Sequence, residues 1–89
     1  MSGTKVGEVT HFYNQIGVAV IELSGYLKIG DLVHFLGRST DFRQEVKSMQ
    51  IEHESISEAS AGQEIALRVD HRVRQHDKVF RISSENQAG

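Results

Sequence analysis

Eighty-nine residues allow one domain with one small core, which excludes a catalytic domain joined to a separate binding domain within this stretch. Ten Lys and Arg against twelve Asp and Glu give a net charge of −2, so the whole-chain basic footprint of a dedicated nucleic-acid binder is absent and any basic surface is local. No cysteine is present, which excludes a disulfide framework, a thiolate nucleophile and a Cys-based zinc site, and no stretch approaches the roughly 18 apolar residues of a membrane span.

Apolar residues alternate more often than they recur at helical spacing, which predicts strands. The segment 1–4 is expected to be flexible. The first strand is predicted over Val6–Phe12, followed by a loop at Tyr13-Asn14-Gln15. The second runs over Gly17–Leu23, rich in β-branched residues and closed by Ser24-Gly25. A third spans Leu32–Leu36, entered through Gly30-Asp31 and left through Gly37, both turn signals. Phe42–Ile51 is expected to form one long bent strand, because Val46 and Ile51 are out of phase by one residue. Ile56–Ala59 reads as a short strand, Ala61-Gly62 as a turn, Glu64–Val69 as a strand and Asp77–Ile82 as the last. After Ile82 the apolar pattern stops, and residues 83–89 are expected to be a disordered tail. Six or seven short strands with no helix predict an all-β domain over 5–82, a small antiparallel Greek-key barrel whose closure removes exposed edges.

Charge is segmented. Residues 51–67 carry Glu52, Glu54, Glu58 and Glu64 and no Lys or Arg, whereas 68–81 carry Arg68, Arg72, Arg74, Lys78 and Arg81 against Asp70 and Asp77.

The stretch Ser24-Gly25-Tyr26-Leu27-Lys28-Ile29-Gly30-Asp31-Leu32-Val33 resembles the second, β-barrel domain of the translational GTPases, in which a Gly-x-Leu/Ile-Lys-x-Gly-Asp/Glu-x-Val stretch links two barrel strands, as in elongation factor Tu and bacterial initiation factor 2. Three further pieces resemble that domain in the same order: Val46–Gln50, Ala59–Leu67, and Arg74-Gln75-His76-Asp77-Lys78-Val79, where His76 stands in place of the usual Gly. A similar barrel occurs at the carboxy-terminus of collagenase-like peptidases, and the Gly-Asp turn does not separate the two. The resemblance covers Val6 to Ile82. It implies a stand-alone binding module that docks on RNA, tRNA or the ribosome, or, as the alternative, an accessory barrel that contacts a peptidase-like or other enzyme. No G-x-x-x-x-G-K-[ST] phosphate loop is present, so the chain is not expected to bind nucleotide in the manner of those GTPases.

Catalytic chemistry finds no support. His11, His34, His53, His71 and His76 have no metal-ligand spacing, so no metal or other cofactor is expected. No serine lies in a nucleophile elbow. Glu52 and Glu54, two apart, are expected on one strand face as a solvated acidic surface rather than an acid–base pair. The chain is therefore read as a non-enzyme, soluble and cytoplasmic, without a signal peptide, and monomeric or weakly dimeric.

Two candidate surfaces follow. Arg68, Arg72, Arg74, Lys78 and Arg81 are the candidate contacts to RNA phosphates. If Val33 and Phe35 point inward, then Leu32, His34 and Leu36 point outward. With Val18 and Val20 on the neighbouring strand, they are expected to form a semi-apolar face for a protein contact.

Overall fold

The computed structural model describes residues 3–82, so the expected tail 83–89 and the first two residues of the chain lie outside the described residues. Ten strands are present: β1 (Gly3–Tyr13), β2 (Val18–Leu23), β3 (Leu27–Lys28), β4 (Leu32–Gly37), β5 (Thr40–Glu45), β6 (Met49–Ile51), β7 (Glu54–Ile56), β8 (Glu58–Ala59), β9 (Glu64–Arg68) and β10 (Lys78–Ile82). The described chain contains no helix, and every strand pair is antiparallel, as the alternating sequence predicts. β1 starts earlier than the expected boundary at Lys5, because Gly3 and Thr4 pair with Ile82 and Arg81. It also ends later, taking in Tyr13, which the sequence places in the loop.

Eight strands form one sheet in the order β5-β4-β10-β1-β2-β9-β6-β7, and β3 pairs with β8 alone. The inward faces carry Val9, Ala19, Ile21, Leu23, Val33, Phe35, Ile65, Leu67 and Val79, all buried in a single apolar cluster. Alternation explains the choice: in β2 and β4 every second residue is buried, and those between are exposed or half-buried. β1 breaks the alternation because its register shifts twice, between Lys5 and Gly7 against β10 and between Val9 and His11 against β2. These bulges bend the strand, so that Val6 and Val9, three residues apart, both face the core.

The expected single strand over Phe42–Ile51 is two strands. Residues 46–48 leave the ladder, β5 pairs with β4, and β6 crosses to pair with β9. Val46 and Met49 are both buried at this corner, which accounts for the change of phase in the sequence. The hydrogen-bonded ladder does not join β5 to β9, but the buried side chain of Gln44 spans the gap. Its Nε2 donates to the Arg68 carbonyl at 2.9 Å, and its Oε1 accepts from the Asp70 amide at 2.7 Å. One side-chain amide thus replaces a pair of backbone bonds and satisfies two groups that need partners. The sheet is therefore barrel-like without being closed: β5, β4, β10, β1, β2 and β9 follow one another in the ladder, the amide of Gln44 links β5 to the end of β9, and the β6–β7 hairpin lies beyond β9.

Three strands are entered through the same four-residue turn. At 28–31 the Asp31 amide donates to the Lys28 carbonyl at 3.1 Å and the Lys28 amide donates to Asp31 Oδ2 at 3.0 Å. At 60–63 Gln63 takes the part of the aspartate, its amide 3.2 Å from the Ser60 carbonyl and its Oε1 2.8 Å from the Ser60 amide. At 74–77 the corresponding distances for Asp77 and Arg74 are 3.1 and 2.8 Å. The third position of each turn has positive φ: Gly30 at 96°, Gly62 at 92° and His76 at 79°. His76 therefore holds a conformation that disfavours a side chain, at the position where the sequence departs from the Gly-Asp pattern.

β6 and β7 are joined by the two residues Glu52 and His53, with φ of 50° and 69°. Two successive positive φ angles are the mark of a type I′ hairpin turn, here without the usual Asn or Gly. This places Glu52 in the turn and Glu54 in β7, not on one strand face as the sequence suggests. The expected strand over Ile56–Ala59 likewise resolves into the ends of β7 and β8, separated by Ser57.

Candidate functional site

The faces of β2 and β4 are as predicted: Leu32 and Leu36 are exposed, and Val18, Val20 and His34 half-buried. The two strands are not neighbours, because β10 and β1 lie between them. The expected single apolar face is therefore two. The alternation of each strand is local, whereas adjacency depends on pairings distant in sequence, which periodicity does not encode.

One face lies over β4 and β10. Leu32, Leu36, Phe80 and Ile82 line a shallow groove of about 500 Å³ with Gly3, His34 and Arg43. His34 Nε2 lies 2.6 Å from Asp41 Oδ1 across the β4–β5 pair, so the histidine is engaged by a carboxylate rather than free to ligate.

The second face lies over β2, β9 and β6 and is larger, about 720 Å³. Its apolar lining is Tyr13, Ile16, Val18, Val20, Ile51, Ile65 and Ala66, with Glu52 and Glu64 among the polar residues around it and no Lys or Arg in the groove itself, while Arg68, opposite Val18, stands at one end of the face. Tyr13 and Ile16 are 50% and 60% exposed, high values for such large apolar side chains. Sequence reasoning missed both, since they fall at a turn where no periodicity identifies a face. The register adds a row of carboxylates at one end: Glu8 pairs with Glu22, and Glu22 with Glu64. Glu64 accepts from the Thr10 hydroxyl at 3.2 Å. Among the described residues Glu22, Glu52 and Glu64 form no ion pair, whereas Glu8 meets Lys5, Lys78 and His76. The hydrogen bond from His76, with further contributions from Lys78 and Lys5, holds the Glu8 carboxyl below its usual range despite an opposing effect of desolvation.

The five basic candidates do not converge as a set. Lys78 lies 3.4 Å from Glu8 Oε1. Arg81 Nε lies 3.3 Å from Asp31, with its guanidinium 6.0 Å from the centre of the Tyr26 ring. Three residues apart on β10, these two point to opposite faces. Arg68, Arg72 and Arg74 are exposed and form no ion pair among the described residues. The Tyr26 hydroxyl donates to Glu58, which raises its pKa above the ordinary tyrosine value.

No group of three or more His, Asp or Glu side chains is placed to hold a metal among the described residues. The histidines disperse: His71 packs edge-on to Phe42 at 4.8 Å, His76 reaches Glu8, and His11 lies 4.3 Å from the Tyr13 ring. No helix of the described chain is long and apolar enough to cross a membrane. What the exposed surface offers chemically is two apolar faces and a short arginine-rich loop.

No protein-family model matches the chain. It is similar to part of an uncharacterized protease of Methanocaldococcus jannaschii, with 40% identity over 77 residues that cover 85% of this chain and 19% of the relative. A collagenase of Porphyromonas gingivalis is 33% identical over 86 residues, 94% of this chain and 24% of that protein. The chain thus spans about a fifth to a quarter of the length of the curated relatives it matches. Among solved structures, the C-terminal domain of a Geobacillus thermoleovorans protein described as a U32 peptidase superposes with a TM-score of 0.84 at 18% identity, covering 90% of this chain and 93% of that domain. The fold is therefore that of a C-terminal domain of a U32-type peptidase, and the chain is similar in sequence to a matching portion of longer proteases and collagenases.

Proposed function

We propose that this chain is a non-catalytic accessory barrel that packs against the catalytic body of a U32-type peptidase. The observation that carries the reading is the match of nearly the whole chain to only about a fifth of a longer protease, with identity high enough to be sequence kinship rather than shared fold alone. The chain's exposed apolar faces suit docking against another protein surface. These relatives lend no support to docking on RNA or the translation machinery, the reading that the Gly-Asp turns first suggest. The resemblance to the peptidase barrel is the part that they favour.

The test is a segment exchange in the Methanocaldococcus protease. Its peptide hydrolysis is measured intact, with the matched 77-residue segment deleted, and with this chain in that place. Deletion is expected to lower hydrolysis at least tenfold and replacement to restore it. If the replaced protein behaves like the deleted one while the intact enzyme is active, the accessory-barrel reading fails.

A further inference from the structure

We infer that the face over β2, β9 and β6, rather than the face over β4 and β10, is the seat for the catalytic body, and that it receives an apolar segment flanked by Lys or Arg. The inference rests on the accessory-barrel reading and adds to it the docking face and the chemistry of the partner. Both faces are apolar, so apolarity alone does not choose between them. Charge does. The groove centred on Val20 and Ala66 is lined by Glu52 and Glu64 and by no Lys or Arg, with a single cation, Arg68, opposite Val18 at one end of the face, while the β4–β10 groove is lined by Arg43 and by no carboxylate.

The carboxylates on the larger face are also set against one another. Glu22 stands directly opposite Glu64 across the β2–β9 pair and opposite Glu8 across the β1–β2 pair. Like charges at directly opposed positions of a sheet destabilise it. Glu8 is neutralised by its own basic neighbours, but Glu22, Glu52 and Glu64 have no ion pair among the described residues. An arriving cation relieves that repulsion, so the arrangement favours a basic rim on the partner around an apolar centre that fills the groove. The exposed Tyr13 and Ile16 supply the large apolar contacts that such a centre requires.

Hydroxyl-radical footprinting of the segment-exchanged protease against the free chain tests the assignment. Tyr13 and Ile16 are expected to lose at least fivefold in oxidation rate in the full-length protein, while Leu32, Leu36 and Tyr26 keep their free-chain rates. Protection of Leu32 and Leu36 in place of Tyr13 and Ile16 overturns the choice of face and leaves the accessory-barrel reading standing. Free-chain rates at all five residues overturn both. A second measurement needs only the free chain. The triple variant Glu22→Gln, Glu52→Gln, Glu64→Gln is expected to raise the Tm by about 4 °C or more, since it removes like-charge opposition from a domain of this size. In the full-length protein the same variant is expected to reduce protection of Tyr13 and Ile16. An unchanged or lowered Tm refutes the charge argument.

Discussion

Replacing Gln44 by leucine probes the seam of the barrel directly. Gln44 is nearly the size of leucine, so the substitution keeps side-chain volume and removes only the amide that bridges β5 to the end of β9. The Arg68 carbonyl and the Asp70 amide then lose their partners at 2.9 and 2.7 Å. Each unsatisfied group costs about 1–3 kcal/mol, and some of that returns as leucine gains apolar contact, so a net loss of about 3 kcal/mol is expected. A domain with 80 described residues has a total stability of roughly 4–12 kcal/mol, which makes this a large fraction of the whole. Urea denaturation followed by far-UV circular dichroism reads the change as a lower midpoint with an unchanged slope. Native-state hydrogen exchange localises it: the Asp70 amide is expected to exchange about a hundredfold faster. Gln44→Glu separates the two bonds, because a carboxylate accepts from Asp70 but no longer donates to Arg68. Its loss at neutral pH is expected to recover in part on acidification, when the protonated carboxyl regains a donor. A Gln44→Leu loss below about 0.5 kcal/mol, with an unchanged Asp70 exchange rate, refutes the view that this side chain holds β5 to the end of β9.

The hairpin turn offers an opposite sign. Changing Glu52→Asn and His53→Gly together relieves two left-handed side-chain residues and is expected to stabilise the free chain by about 1–2 kcal/mol in the same urea assay, and a destabilised variant refutes the assignment of strain. The pH dependence of stability follows from Glu8. Its carboxyl binds a proton less readily in the folded chain than in the unfolded one, so the stabilisation is fully present above the ordinary glutamate pKa. It is lost as pH falls through the lower folded pKa. Glu8→Gln is expected to flatten the acid limb of stability against pH, and a limb of unchanged steepness assigns it to other carboxylates.

Much of this architecture is legible in the sequence because it is local. The inward and outward faces of β2 and β4 follow from alternation, and the turn at 28–31 follows from Gly30-Asp31. The displacement of phase between Val46 and Ile51 correctly locates a bend, yet whether the chain continues in one ladder or crosses to another depends on β9, which is distant in sequence. The same limit explains the apolar face: Val20 and Leu32 each point outward as predicted, but only the long-range pairings of β10 and β1 determine that they lie apart. Gln44 reads as an ordinary polar residue, and nothing near it in sequence announces its partners at Arg68 and Asp70. Glu22 and Glu64 likewise become opposed only when β2 meets β9. Closeness in sequence groups the basic residues, yet it is a poor guide on a strand, where Lys78 and Arg81 diverge by geometry alone.

The repeated entrance turn bears on what short motifs can mean. Each copy binds the amide of its first residue to a side-chain oxygen of its fourth and needs a left-handed third residue. Asp or Gln meets the first demand, and Gly or, at some cost, His meets the second. A Gly-Asp pair before a strand is therefore a mechanical fitting, selected wherever a chain must swing into a barrel wall at that angle. Unrelated or long-separated barrels will acquire it for the same reason, whatever they bind. Kinship of use is better sought in outward residues that neither the entrance turns nor the core requires, such as Tyr13 and Ile16 on the face over β2, β9 and β6.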